Sequence, residues 1–137
     1  MLVYLSLGAN LGDREATINK ALDLLATQVG PLIKRSDFYY SKPWGFDSPN
    51  EFCNLCASFT TSLSPLDLLH TTQSIEKQLG RTQKSNGTYQ DRTIDIDIIR
   101  LFDGENELSI NSPELTIPHK LWAQRDFVKV PLAEIMH

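Results

Sequence analysis

The sequence predicts an α+β fold in which two helices cover one face of a sheet, and three observations predict it. Period-2 apolar alternation recurs in short segments, helical spacing recurs in longer ones, and the two kinds interleave as β, α, β, β, α, β. Residues 3–8, VYLSLG, set Val3, Leu5 and Leu7 on one side of a first strand, and Gly8 and Gly12 mark the turn that follows. From Asp13 to about Val29 the residues Ile18, Ala21, Leu22, Leu25 and Val29 fall at helical spacing, and Gly30-Pro31 stops the helix. LIKRSDFYYS, residues 32–41, reads as a second strand, and KPWGFDSPN, residues 42–50, as a loop punctuated by Pro43, Gly45 and Pro49. FCNLCASFTTS is the third strand, with Cys53, Leu55, Ala57 and Phe59 to one side and Phe52, Asn54, Cys56 and Ser58 to the other.

Ser64-Pro65-Leu66-Asp67 opens a second helix: a capping serine, a proline at the first helical position and an acid in the first turn. That helix runs to about Leu79 and ends at Gly80, and the polar segment 80–91, GRTQKSNGTYQD, is a candidate lid. TIDIDIIRLF is the fourth strand, and Asp103-Gly104 suggests a hairpin into ENELSI. A short helix through Arg125 follows Pro118-His119, before the final VPLAEIMH. The split βαββαβ order is that of a ferredoxin-like sandwich, here with an extra hairpin and a C-terminal helical segment.

With 137 residues and 41% hydrophobic content, one domain spanning residues 1–137 is expected, built on one core. A net charge of -4 argues against a protein whose main partner is the phosphate backbone of nucleic acid, since that requires a basic face. The opening MLVYLSLGANLG lacks a basic leader and reaches Asn10 too soon for a signal peptide or membrane span, so a cytoplasmic protein without membrane contact is expected. Cys53 and Cys56 form a C-x-x-C pattern, but on a strand residues three apart point to opposite faces. Two such thiols cannot readily share a metal or pair, so a structural use is expected.

The chemistry collects around DRTIDIDII, residues 91–99. Ile94, Ile96 and Ile98 share one face of the strand, while Asp95 and Asp97 share the other, about 6.5–7 Å apart and able to grip one cation or two. A solvated outer face is the bland alternative. Asn54, on the strand face expected to look away from the helices, offers a donor and an acceptor to a flat heterocycle, and Phe52 two residues back can stack on it. A satisfied polar group in a half-buried strand would explain Asn54 equally well. Gln73 and Glu76 share a helix face that, read alone, is an ordinary solvated side. Arg81, Lys84, Arg92, His119 and Arg125 are individually unremarkable cations, yet with two acids they make up the parts of a polyphosphate site. Neither GxxxxGK[ST] nor G-x-G-x-x-G is present, so any nucleotide must be held another way.

The segments YLSLGANLGD, FCNL, QSIEKQLGR, DRTIDIDI and TIPHKLWAQRDFVKVPL, in this order, resemble the 6-hydroxymethyl-7,8-dihydropterin pyrophosphokinase family nearly end to end. The resemblance implies a folate-pathway enzyme that moves diphosphate from ATP, its co-substrate, onto a pterin alcohol. It implies that Asp95 and Asp97 bind two Mg²⁺ ions and act in catalysis with Arg81 and Arg92. Asn54 would read the pterin edge, Phe52 and Phe127 would sandwich the ring, and backbone near Gly8, Ser41 and Trp44 would complete that pocket. Leu69, Gln73, Glu76, Ile98 and Thr116 would form the adenosine side, and Arg81, Arg92, His119 and Arg125 the phosphate contacts.

The chain also departs from the family pattern. Phe52 stands where a tyrosine also occurs, Lys120 follows the histidine where a tyrosine can occur, and Glu114 replaces an arginine that can contact ATP. The segment from Thr82 to Asp91 is one residue longer than the usual pattern, which leaves the roles of Gln83, Lys84 and Tyr89 open, and the chain stops soon after PLAEI. A monomer is expected, with a dimer left open. Two other classes compete on the residues alone: a Mg²⁺-dependent nuclease or nucleotidyl transferase using the same aspartates, and a ligand-binding regulator without catalysis.

Overall fold

The computed structural model of the chain describes residues 1–42, 51–80 and 94–136. Within them the order is β1 (Leu2–Ala9), α1 (Arg14–Gln28), β2 (Leu32–Arg35), β3 (Tyr39–Ser41), β4 (Phe52–Thr60), α2 (Pro65–Gln78), β5 (Asp95–Asp103), β6 (Asn106–Glu107), β7 (Ile110–Asn111), β8 (Thr116–Ile117), a 3-10 turn at Trp122–Gln124, and α3 (Asp126–Ile135). β1 is central, antiparallel to β4 on one side and β5 on the other; β2 and β3 lie along the outer edge of β4, and β6 pairs with the end of β5. Taking β2 and β3 as two parts of one edge strand gives the expected ferredoxin-like arrangement. β7 and β8 form a separate ribbon.

The single strand expected over residues 32–41 is broken at Ser36, and the break has a physical cause. The Ser36 N–H donates to the Cys56 carbonyl at 2.9 Å, while its Oγ accepts from the Cys56 N–H at 3.0 Å. A side-chain oxygen thus takes the place of a strand carbonyl, and β4 keeps its hydrogen bonds across the interruption.

Both long helices begin as their sequences dictate. Asp13 Oδ1 accepts from the Ala16 N–H at 3.2 Å, and Ser64 Oγ accepts from the Asp67 N–H at 3.2 Å, with Pro65 entering α2 at a position that needs no donor. Ile18, Ala21, Leu22 and Leu25 of α1 and Leu68 and Ile75 of α2 are buried against Val3, Leu5, Leu7, Leu55, Phe59, Ile94, Ile96 and Ile98. Between α1 and β2, Gly30 has φ +150°, and a Cβ there would lie 1.8 Å from the Thr60 carbonyl oxygen, so only glycine fits.

The opposite face of the sheet is also partly covered. α3 packs Val128, Leu132 and Ile135 on Tyr4, Cys56 and Ile99, making a second, smaller core. The C-terminal helical segment expected from the sequence is therefore two pieces, a 3-10 turn ending at Gln124 and a longer helix beginning at Asp126. Cys53 belongs to the first core and Cys56 to the second, and both are free and buried. Their separation across the sheet bears out the structural reading of C-x-x-C. Among the described residues no helix is long and apolar enough to cross a membrane.

Candidate active site

Strand register builds the floor of the site. β1 pairs Gly8 with Asn54 on one side and Asp95 on the other, and Ser6 with Cys56 and Asp97. Directly opposed residues in an antiparallel sheet are about 4.5–5.5 Å apart, so Asn54, Gly8 and Asp95 form one row and Cys56, Ser6 and Asp97 the next. Gly8 is the low point: a Cβ on it would stand 2.8 Å from Asn54 Oδ1 and 3.8 Å from the Phe52 ring. The missing side chain leaves a hollow between an amide and a carboxylate.

Asn54 is buried, and its Nδ2 donates to the Tyr39 carbonyl at 3.2 Å and to Ser41 Oγ at 3.0 Å. Both donors are engaged by β3, which turns the carbonyl oxygen toward Gly8 and fixes the amide as an acceptor over the hollow. Phe52 and Phe127, both half-buried, line the same recess, whose empty volume is about 480 Å³ including its open mouth. Ser6, Gly8, Ser41, Lys42, Asn54, Asp95, Asp97, Arg125 and Val128 complete its lining. Of the residues expected around a pterin, Gly8, Ser41, Phe52, Asn54 and Phe127 are therefore together, while Trp44 lies outside the described residues.

A second, wider recess, about 1130 Å³ with the open solvent at its mouth included, adjoins the first. Of the residues expected on the nucleotide side, Leu69 and Gln73 of α2, Ile98 of β5, Thr116 of β8, and His119 and Arg125 line it together. Ile96, Asp97, Glu114, Leu115, Lys120 and Leu121 supply the rest. Glu114 stands at this wall with its Oε2 4.0 Å from His70 Nε2 on an exposed surface. Asp97 and Arg125 line both recesses and so mark where the two meet.

Glu76 departs from the solvated helix side suggested by its spacing. It is 3% exposed, and its Oε2 accepts from the Ile96 N–H at 2.8 Å. It is not among the described residues that line either recess. Arg81 and Arg92, together with Gln83, Lys84, Tyr89 and most of the two expected loops, lie outside the described residues.

The electrostatics of the junction follow from burial. Arg125 is 6% exposed, and loss of solvent pulls its guanidinium down to about 10, which still leaves a cation at neutral pH. Its Cζ lies 5.7 Å from the centroid of the Phe127 ring, so the plate and the cation brace each other. His119 is oriented by its surroundings: its N–H donates to the Ile99 carbonyl at 3.0 Å, and its Nδ1 accepts from the Leu121 N–H at 3.2 Å. An accepting Nδ1 puts the proton of the neutral ring on Nε2.

Asp95 and Asp97 are half-buried, on one face, and beside the small residues Gly8 and Ser6. Among the described residues there is no cluster of three or more His, Cys, Asp or Glu side chains suited to a metal. Two hard carboxylates side by side fit a cation that takes its other ligands from water and substrate phosphates, the usual habit of Mg²⁺. Ser6, Lys42 and Val128 were not anticipated in the site. Ser6 could have been found by parity, being two residues from Gly8 on β1, whereas Val128 depends on the docking of α3.

The α+β sandwich thus holds two joined recesses, one offering an amide and aromatic rings and the other meeting it at an acid and a cation. A family model described as 7,8-dihydro-6-hydroxymethylpterin-pyrophosphokinase (HPPK) matches residues 4–137. A Porphyromonas gingivalis protein named 2-amino-4-hydroxy-6-hydroxymethyldihydropteridine pyrophosphokinase is 50% identical over 135 residues, covering 98% of this chain and 90% of the relative. A Bacillus subtilis protein of the same name is 39% identical over 135 residues, 98% of this chain and 77% of the relative. The bifunctional protein FolKE of Lactococcus lactis subsp. cremoris is 39% identical over 134 residues, 97% of this chain but 37% of the relative. A crystal structure of HPPK-DHPS in complex with substrates shares the fold, with a TM-score of 0.70 over 98% of this chain and 40% of that one, at 16% identity. The chain belongs to the 7,8-dihydro-6-hydroxymethylpterin-pyrophosphokinase family, and its activity is the pyrophosphokinase step of folate biosynthesis.

Proposed function

We propose that this chain, as one domain spanning residues 1–137, transfers the terminal diphosphate of ATP to the hydroxymethyl oxygen of 6-hydroxymethyl-7,8-dihydropterin and releases AMP. The observation that carries this reading is that Asp97 and Arg125 belong to both recesses, so two substrates bound side by side would meet between them. The pterin occupies the first recess, its ring stacked against Phe52 and Phe127 and a ring N–H donating to the Asn54 carbonyl. Ser41 and Gly8 border that pocket, and Trp44 would join them there. Leu69 and Ile98 give the adenine an apolar bed, with Gln73 and Thr116 as polar partners beside it. His119, donating from Nε2, and Arg125 take phosphate oxygens, joined by Arg81 and Arg92.

In the transfer a bond forms between the pterin hydroxymethyl oxygen and the β-phosphorus. The bond from that phosphorus to the α,β-bridging oxygen breaks, AMP keeps the oxygen, and the hydroxyl proton is lost to solvent. Such chemistry asks the protein mainly for alignment and charge stabilisation, which stacked plates and a desolvated guanidinium supply. Asp95 and Asp97 would hold two Mg²⁺ ions, which when bound supply positive charge beside the phosphates and offset the cost of half-buried carboxylates.

The test is to mix protein, ATP, Mg²⁺ and the pterin alcohol and follow nucleotide products. AMP and pterin diphosphate should appear in equal amounts, and only with pterin present. AMP or ADP released at the same rate without pterin would overturn the assignment, as would strong cleavage of DNA or RNA.

A further inference from the structure

We propose that Glu76 is a positioning residue that keeps Asp95 and Asp97 aimed into the cleft by gripping the strand between them. The inference rests on the diphosphate-transfer reading of that cleft and adds a residue that acts on it from behind.

Among the described residues, β5 pairs only with β1 along the segment that carries the two acids, because β6 reaches it only at Phe102 and Asp103. In an antiparallel pair, alternate residues turn both backbone groups toward the partner or both away from it. The Ile96 N–H turns away from β1 and meets Glu76 Oε2 at 2.8 Å. Glu76 thus serves as a strand neighbour at the Asp95–Ile96 peptide, the first of the two peptide units that join Asp95 to Asp97. Holding that peptide plane restrains ψ of Asp95 and φ of Ile96, and with them the direction of the Asp95 carboxylate and the path of the strand into Asp97. A buried carboxylate accepting from a buried amide makes a short, stiff tether.

The other end of the tether is α2, which also supplies Leu69 and Gln73 to the nucleotide recess. One side chain therefore links the wall that holds the nucleotide to the acids that hold the cation. Glu76 is 3% exposed and is not among the described residues lining the recess, so this tether lies behind the wall of the cleft.

The discriminating variants are Glu76→Gln, which keeps an acceptor of the same reach without the charge, and Glu76→Asp, which keeps the charge but is one methylene short. Binding of Mn²⁺ with a nonhydrolysable ATP analogue, followed by electron paramagnetic resonance, reads the acid pair directly. Exchange of the Ile96 amide in the protein without substrates reads the tether. Glu76→Gln should stay within about threefold of the parent in Mn²⁺ affinity, while Glu76→Asp should lose about tenfold, with faster Ile96 exchange and lower kcat. The KM for pterin should change by less than about twofold in both. Loss in the Gln variant with retention in the Asp variant would assign the effect to charge and overturn the positioning role. So would a raised KM for ATP with Mn²⁺ affinity unchanged, or a parallel weakening of both substrates with a lowered melting temperature. Failure of the parent to release AMP would sink the transfer reading instead, and the Mn²⁺ and Ile96 measurements would still decide the role of Glu76.

Discussion

The two faces of the central sheet are made by the same three strands and do opposite work. On the face under α1 and α2, every inward residue from Val3 to Leu7, Leu55 to Phe59 and Ile94 to Ile98 is apolar and buried. On the other face the strands change character halfway along. Tyr4, Cys56 and Ile99 are apolar enough to be sealed by α3, whereas Ser6, Gly8, Asn54, Asp95 and Asp97 are left to the recess. One parity of the strands is spent on stability along its whole length; the other is divided between a small core and the chemistry. The border lies where α3 begins, and Arg125 and Phe127 stand on that border.

The contrast can be broken by exchanging effects between faces. The largest change in activity is expected from Asp95→Ala or Asp97→Ala, each cutting turnover by about a thousandfold or more, with the melting temperature within about 5 °C of the parent. Turnover within tenfold of the parent would remove the acids from the mechanism. Phe59→Ala, on the opposite face and fully buried, should instead lower unfolding free energy by about 3–5 kcal/mol in urea titrations while the surviving folded fraction keeps its kcat. Gly8→Ala should raise the KM for pterin by about tenfold and lower stability by about 1 kcal/mol, because the new Cβ displaces an Asn54 amide held by two hydrogen bonds. An unchanged KM would show that the hollow is not where the ring edge lies.

The smallest effect compares the two thiols. Burial pushes Cys53 up to about 11 and Cys56, with its Sγ toward the Val128 carbonyl, up to about 12. Both are protonated in the fold and would ionise near 9 once unfolded. Their contribution is therefore fully present below pH 9 and is lost as pH rises through 11 and then 12, about 1 kcal/mol per thiol by pH 10. Melting temperatures should be level up to pH 9 and fall above it, and Cys56→Ala should make the fall shallower.

Much of this arrangement can be read before any coordinates. Helix α1, both N-caps, the two faces of β4 and the paired acids of β5 follow from local spacing, because each depends on residues within a few positions of one another. What could not be read depends on contacts distant in sequence. Ser36 looks like any strand residue until Cys56 is beside it, and Glu76 looks solvated until the Ile96 amide, 20 residues away, meets it. The cover on the second face was missed for another reason: Pro131 sits inside α3 and hides a helix whose Val128, Leu132 and Ile135 have regular helical spacing.

One detail of β5 governs all the others. Its pairing with β1 slips between Tyr4 and Leu5, so that Leu5 faces Ile98 and Tyr4 faces Arg100, with Ile99 as the extra residue. That insertion explains the doubled isoleucine in an otherwise alternating run: Ile98 and Leu101 fill one core while Ile99 fills the other. The strand thus carries two phases spliced at a single point, like text whose spacing is corrected by one inserted letter. Excising that letter would leave one unbroken register, with Leu101 still opposite Val3 and both aspartates still opposite Ser6 and Gly8, so the enzyme would keep its acids and lose only the anchor that Ile99 gives α3.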